Sequence, residues 1–180
     1  MKKILFVLAI ILGVLVFSQE LKYEEVVHVD STATKEELYN RARSWVRKTF
    51  NKKNSIIEVD NKASGEIIAS GIVDYRKRKN YFGASCVEGP VRLTLSIYVK
   101  DGRYKYVFHS FDHKGSGGSG CRHTDYGIIT LDDKAPKPSW GEPRDKAWND
   151  IKAFISETVL LNVSDLKKAM NIQSDISKDW

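Results

Sequence analysis

Two cysteines in 180 residues are too few for a zinc ribbon, and the four histidines show no zincin spacing. The glycine-rich run Gly115–Gly120 carries neither the G-x-S-x-G of a nucleophile elbow nor the Gly-Lys-Ser/Thr of a P-loop. It reads as a flexible loop. Glu24-Glu25 and Asp132-Asp133 are adjacent carboxylates, which a strand would point to opposite faces, so neither resembles an acid/base pair. No catalytic motif and no cofactor signature emerges. Past the first 17 residues there is no apolar run long enough to cross a bilayer. A large charge surplus is also missing: the net charge of +6 falls to +4 once Lys2 and Lys3 are set aside. That balance suits acidic glycans or lipid head groups only weakly.

What is present begins with MKKILFVLAIILGVLVFSQE. Lys2 and Lys3 precede an apolar run from Ile4 to Phe17, and Val16-x-Ser18 offers small residues before a cut at Gln19. This is the pattern of a secretory signal peptide over 1–18. No cysteine lies near the cut to carry a lipid. The expected destination is the periplasm or cell envelope, or the medium. Export removes the usual nucleic-acid partners.

The clearest structural signal is Pro90 to Asp112. Val91, Leu93, Leu95, Ile97 and Val99 alternate with Arg92, Thr94, Ser96, Tyr98 and Lys100, the period of a strand with one buried face. Asp101-Gly102 offers the two positive-φ positions of a tight hairpin turn. A two-residue turn sets Lys100 opposite Arg103, Val99 opposite Tyr104, Ile97 opposite Tyr106 and Leu95 opposite Phe108. Carried further, it sets Arg92 opposite Phe111. A slip of one residue would expose the whole apolar set.

Around this hairpin, Leu21 to Val29 reads as a strand with Tyr23, Val27 and Val29 on one face. Thr34-x-x-Glu37 is a capping box, and Leu38, Ala42, Trp45, Val46 and Phe50 follow at helical spacing. Ser55–Val59 and Glu66–Arg76 are further strands, with Gly71 marking a bulge or a close approach. Gly127 to Leu131 offers a short extra strand. A helix begins near Pro143, with Trp148, Ile151, Phe154/Ile155, Thr158 and Val159 as its stripe, and Ser164 caps a shorter piece from Asp165 to Met170. The polar tail 171–180 follows a single domain over 19–170. The order β-α-β-β-β-β-α predicts an α+β fold: an antiparallel sheet with both helices on one face.

Four stretches carry a family resemblance: TKEELYNRARSWVRKTF (Thr34 to Phe50), the SIIEVD…SGEIIASG pair, VKDGRYKY (Val99 to Tyr106) and the LKKAM ending at Met170. Together they resemble an exported bacterial domain-of-unknown-function family with a TBP-like fold. The resemblance covers most of the chain after the signal. It implies half of the TATA-box-binding saddle as a shape, with no DNA binding and no catalytic residues to transfer.

If the helices cover one side of the sheet, the other is open. It would present Arg92, Tyr98, Lys100, Arg103, Lys105, Val107, His109 and Phe111, cations beside aromatics. The expected ligand face is therefore Arg92, Tyr98, Arg103, Lys105 and Phe111, and the expected function is a non-enzymatic binding or interaction module. Its partner would be an envelope protein, an acidic glycan or a lipid head group. The rival is a metal-dependent or hydrolytic enzyme centred on His109, His113, Cys121 and His123, with Asp112 and Asp125 nearby.

Cys86 and Cys121 flank the hairpin in a chain bound for an oxidising compartment, so a disulfide between them is expected. An unstrained bridge of that loop length is worth about 3–4 kcal/mol in the chain-entropy picture. Intact mass of the exported protein checks both expectations. The chain should start at Gln19 and gain two hydrogens on reduction; a retained Met1, or two free thiols, would overturn the respective reading.

Overall fold

The computed structural model describes residues 18–30, 32–50, 55–78, 84–117, 124–136 and 144–171. In chain order these form β1 (Tyr23–His28), α1 (Lys35–Thr49), β2 (Ile56–Asn61), β3 (Glu66–Tyr75), a 3-10 turn (Ala84–Val87), β4 (Gly89–Lys100), β5 (Arg103–His113), β6 (Gly127–Ile128) and α2 (Arg144–Asn171). The sheet runs β1-β5-β4-β3-β2, with β6 also on β5. All pairs are antiparallel. The expected signal segment up to residue 17 and the tail from 172 lie outside the described residues.

The hairpin forms as the alternation predicts. Lys100 faces Arg103, Val99 faces Tyr104, Ile97 faces Tyr106 and Leu95 faces Phe108. Of the two turn residues only Gly102 takes a positive φ, 67°. The Asp101 carboxylate is committed elsewhere: it accepts the N–H of Lys35, at the start of α1, at 2.6 Å. Gly102 N–H donates to Ala33 O at 2.9 Å, and Val29 N–H to Gly102 O at 3.0 Å. Three bonds thus fix the turn to the segment that joins β1 to α1. Inside the helix, Thr34 Oγ1 accepts Glu37 N–H at 3.2 Å, one half of the capping box, while the Glu37 side chain pairs with Arg41 one turn on.

Register changes further out. Two steps on β4, from Arg92 to Thr94, match three on β5, from Asp112 to His109. The extra residue is a bulge at Ser110, whose φ of 54° lies in the left-handed region. Arg92 therefore faces Asp112, not Phe111. Every β5 side chain beyond the bulge changes face. Phe111 is 1% exposed and meets Tyr23 edge-on at 6.0 Å, so its expected place on the ligand face is corrected: it is core. His113, 0% exposed, moves inward with it.

Both helices lie on the inner face. Leu38, Ala42, Trp45 and Val46 of α1 join Ile67, Leu95, Ile97, Tyr104 and Phe108 in one core. Gly71 is a close approach, since a Cβ there would sit 2.8 Å from the Phe50 ring. Trp148, Ile151, Ile155, Val159, Val163, Leu166 and Met170 form the stripe of α2, unbroken through Ser164. The shorter, separately capped helix expected there is absent. Ser164 sits on the exposed side, so nothing interrupts the three-and-four spacing that holds the helix to the core.

α2 reaches across the sheet. Near its start the Asp150 carboxylate, 5% exposed, accepts Tyr75 O–H at 2.5 Å and Arg78 N–H at 3.2 Å. Near its end Lys167 pairs with Glu25 of β1 at 2.7 Å, and Met170 O accepts from Arg41 at 2.6 Å. The 17 helical steps from Asp150 to Lys167 span about 26 Å, enough to pass from β3 to β1.

The bulge generates two expectations. Ser110→Val places a β-branched side chain in the left-handed region and should cost about 1–2 kcal/mol in urea unfolding, while Ser110→Gly should stay within about 1 kcal/mol of the parent. Equal losses in both would argue against the strained φ. The second concerns His113, whose Nε2 donates to Val87 O at 2.8 Å while Nδ1 accepts Tyr126 N–H at 3.4 Å. Burial holds this imidazole below its ordinary value, against the pull of the Val87 carbonyl, Asp125 and Asp112. Below about pH 6.5 the unfolded chain takes up a proton that the folded chain resists. Stability is therefore full above that pH and lost as the pH falls toward the folded value, by up to about 1.4 kcal/mol per unit. His113→Gln should flatten this slope; identical slopes in parent and variant would refute the assignment.

Candidate functional site: the helix-free face of the sheet

Alternation puts a second set of side chains on the outer face. Across the strands they form rows set by the register: His28–Arg103–Lys100, then Val26–Lys105–Tyr98–Glu66, then Glu24–Val107–Ser96–Ile68. Farther from the turn come His109–Thr94–Ser70–Ile56, and beyond the bulge Asp112–Arg92–Ile72. Four large apolar side chains on this face remain open: Ile56 at 65%, Val26 at 50%, Tyr98 at 41% and Ile128, opposite Asp112, at 41% exposure. Ile68 and Val107 are half-buried in the row between Tyr98 and Ile56, and Ile72 is half-buried in the row of Ile128.

Of the five expected ligand residues, the sheet brings three together. Tyr98 and Lys105 are cross-strand partners, and Arg103 lies two residues along from Lys105 on the same face. Arg92 stands at the far end, and Phe111 is in the core. Lys105 is not a free cation, because Glu24 holds it at 2.9 Å and Lys22 reaches the same carboxylate at 3.2 Å. The Lys105 hydrogen bond, followed by that of Lys22, keeps the Glu24 carboxyl below its usual range. Sequence reading missed Glu24, Val26 and His28 on this face. Their parity was visible, since Tyr23, Val27 and Val29 point the other way; the pairing of β1 with β5 was not.

The histidines of the rival metal-site reading part company. His109 stays on the outer face, with Nε2 3.2 Å from Ser96 Oγ and Nδ1 2.9 Å from Ser110 Oγ, while His113 is in the core. Unbroken alternation would have placed them on one face; the bulge separates them. Cys121 and His123 lie outside the described residues, and among the described residues no three His, Cys, Asp or Glu side chains gather as a metal site. Ser96 and His109 do form a serine–histidine contact. Ser96 sits on the central strand, however, paired with Ile68 on one side and Val107 on the other, so the ladder occupies the N–H groups that an oxyanion would need. Cys86 lies in the 3-10 turn, its carbonyl accepting Thr124 N–H at 3.3 Å.

Comparison with known proteins places this geometry. A TBP-like protein from Parabacteroides distasonis ATCC 8503 superposes with a TM-score of 0.62 at 16% identity, over 84% of this chain and 92% of its own. A DUF4468 family protein from Bacteroides ovatus ATCC 8483 gives 0.58 at 12% identity, over 87% and 89%. At such identities the likeness is one of fold. No curated protein matches the sequence. The model of the domain of unknown function (DUF4468) with TBP-like fold matches residues 23–114, the span from β1 through the hairpin on which the sheet is built, and the chain belongs to that family.

Proposed function

We propose that this protein is an exported, non-enzymatic binding module of the bacterial cell envelope, and that it engages its partner through the helix-free face of the sheet. The observation that carries the reading is the exposure of Val26 and Tyr98 on a face that both helices leave uncovered, in the row of Lys105 and one row from the cations at the hairpin end. Exposed apolar and aromatic side chains gathered on one surface mark interaction sites more often than solvated strands do. Cations beside them favour an acidic partner: an envelope protein with an acidic surface, an acidic glycan or a lipid head group.

Export rests on the leader sequence, and the Cys86–Cys121 disulfide belongs to the same proposal. The bond from Thr124 N–H to Cys86 O supports it, since Thr124 follows Cys121 by three residues. The enzymatic alternative has one observation in its favour, the Ser96–His109 contact; among the described residues the other His109 nitrogen meets Ser110 rather than a carboxylate.

The test replaces Tyr98, Arg103 and Lys105 together with Ser and repeats capture from envelope extract at low and high salt. All three side chains are at least partly exposed, so the fold should survive. Loss of the captured material at unchanged melting temperature, with weaker capture by the parent as salt rises, is the expected result. Unchanged capture by a folded variant would remove this face. A loss confined to His109→Ala would transfer the case to the enzymatic reading.

A further inference from the structure

At the hairpin end of the open face two cations and an imidazole stand in one row: His28 opposite Arg103, and Arg103 opposite Lys100. All three are exposed. Like charges directly opposite one another on a sheet are unfavourable, and elsewhere on this face Lys105 is neutralised by Glu24. The row has no such relief. None of its members joins the ion pairs formed among the described residues, where Lys22, Arg43, Lys62, Lys105 and Lys167 each meet a carboxylate. The nearest acid in sequence, Asp101, turns its carboxylate to the N–H of Lys35 at 2.6 Å.

The same residues line a hollow of about 510 Å³, together with Val29, Asp101 and Gly102. Its walls are held rather than loose, because Val29 N–H bonds Gly102 O at 3.0 Å and Gly102 N–H bonds Ala33 O at 2.9 Å. Adjacent strands lie roughly 4.8 Å apart, so the three side chains spread across about 10 Å and can close on one multi-oxygen group. Lys100 and Arg103 supply two fixed positive charges. A phosphate monoester carries about −1.5 to −2 at neutral pH, and a guanidinium fork matches two of its oxygens.

We infer that the hollow bounded by His28, Lys100 and Arg103 is a binding site for a phosphate group. The inference deepens the binding-module reading and rests on it: the hairpin end is where the partner's anionic group would seat. Arg103 provides the paired donors, Lys100 the second charge, and His28 a further nitrogen from the edge strand. The apolar surface around Val26 and Tyr98 then lies one row away, where the body of a phosphorylated partner would rest.

Inorganic phosphate is the first probe. Added to the mature chain at fixed ionic strength, it should raise the melting temperature above a sodium chloride control, and amide shifts should saturate at His28, Lys100, Gly102 and Arg103. The double variant Lys100→Gln/Arg103→Gln should bind phosphate at least tenfold more weakly while melting at or above the parent, because the opposed charges are gone. A phosphate response no larger than that of chloride, or equal affinity in the variant, overturns the site. Vesicles of phosphatidylcholine containing phosphatidic acid separate the sources. Co-sedimentation lost in the variant assigns a lipid headgroup, and phosphate binding without co-sedimentation assigns a soluble phosphate ester. Tyr98→Ser/Lys105→Ser keeps the two proposals apart: if envelope capture depends on that pair while phosphate fails to bind, the anion site falls and the binding module stands.

Discussion

The register of the β4–β5 hairpin is the constraint on which the rest of this structure depends. It is set twice. At the turn, Gly102 alone adopts a positive φ, and the alternation from Lys100/Arg103 to Leu95/Phe108 follows from it. At Ser110 a single inserted residue resets it, and the two halves of β5 then serve different neighbours. The half from Arg103 to Phe108 pairs with β1, while Asp112 and His113 pair with β6. Phe111 O, between them, accepts Ile129 N–H at 2.8 Å. One edge of one strand thus accommodates two partners because the bulge turns the ladder between them.

That division also assigns the chemistry of the two faces. Without the bulge, Phe111 and His113 would lie in water, and the pocket lined by Tyr75 and Tyr126 would lose its filling. His113 meets both rings, at 6.3 and 5.4 Å between centroids, and both of its nitrogens are hydrogen-bonded. A fully buried aromatic side chain is worth about 1.5–3 kcal/mol over an exposed one. This outweighs the roughly 1–2 kcal/mol cost of a left-handed serine. The inner face is closed further by α2, gripped at β3 through Tyr75–Asp150 and at β1 through Glu25–Lys167. A helix held at both ends cannot also shield the outer face, which is why that face keeps Ile56, Val26 and Tyr98 in the open.

Much of this was legible because the hydrophobic period decides it. Five alternating residues before Asp101 and three after Gly102 leave only one register that buries them all. Thr34 and the stripe from Leu38 to Val46 define α1 in the same way. What the sequence could not disclose were events that cost no change of composition. Ser110 is an ordinary serine in FHSFDH; nothing nearby marks it as an inserted residue, so regular alternation puts Phe111 on the wrong face. Ser164 looked like a cap because Ser-Asp opens many helices, yet here burial on both sides of it overrides local preference. The pairing of β1 with β5 is a contact between distant parts of the chain. Until it is known, Glu24 cannot be matched with Lys105, nor His28 with Arg103.

The charges on the outer face carry the last step. A surface kept only for solubility would intersperse the two signs, and the middle of this face does so, with Glu24 between Lys22 and Lys105 and Glu66 beside Tyr98. The hairpin end does not. There Lys100 and Arg103 oppose each other on either side of a turn tied to its surroundings, with Asp101 and Gly102 bonded to the segment that leads into α1. Holding like charges together on a rigid turn costs stability, whereas a floppy turn would let them separate. Rigid placement of unpaired charge is what pre-organised recognition requires, because less ordering remains to be done when the anion arrives. The fold, shared with proteins of the same shape, does not supply this feature by itself; the row of side chains that the hairpin register places at its tip does.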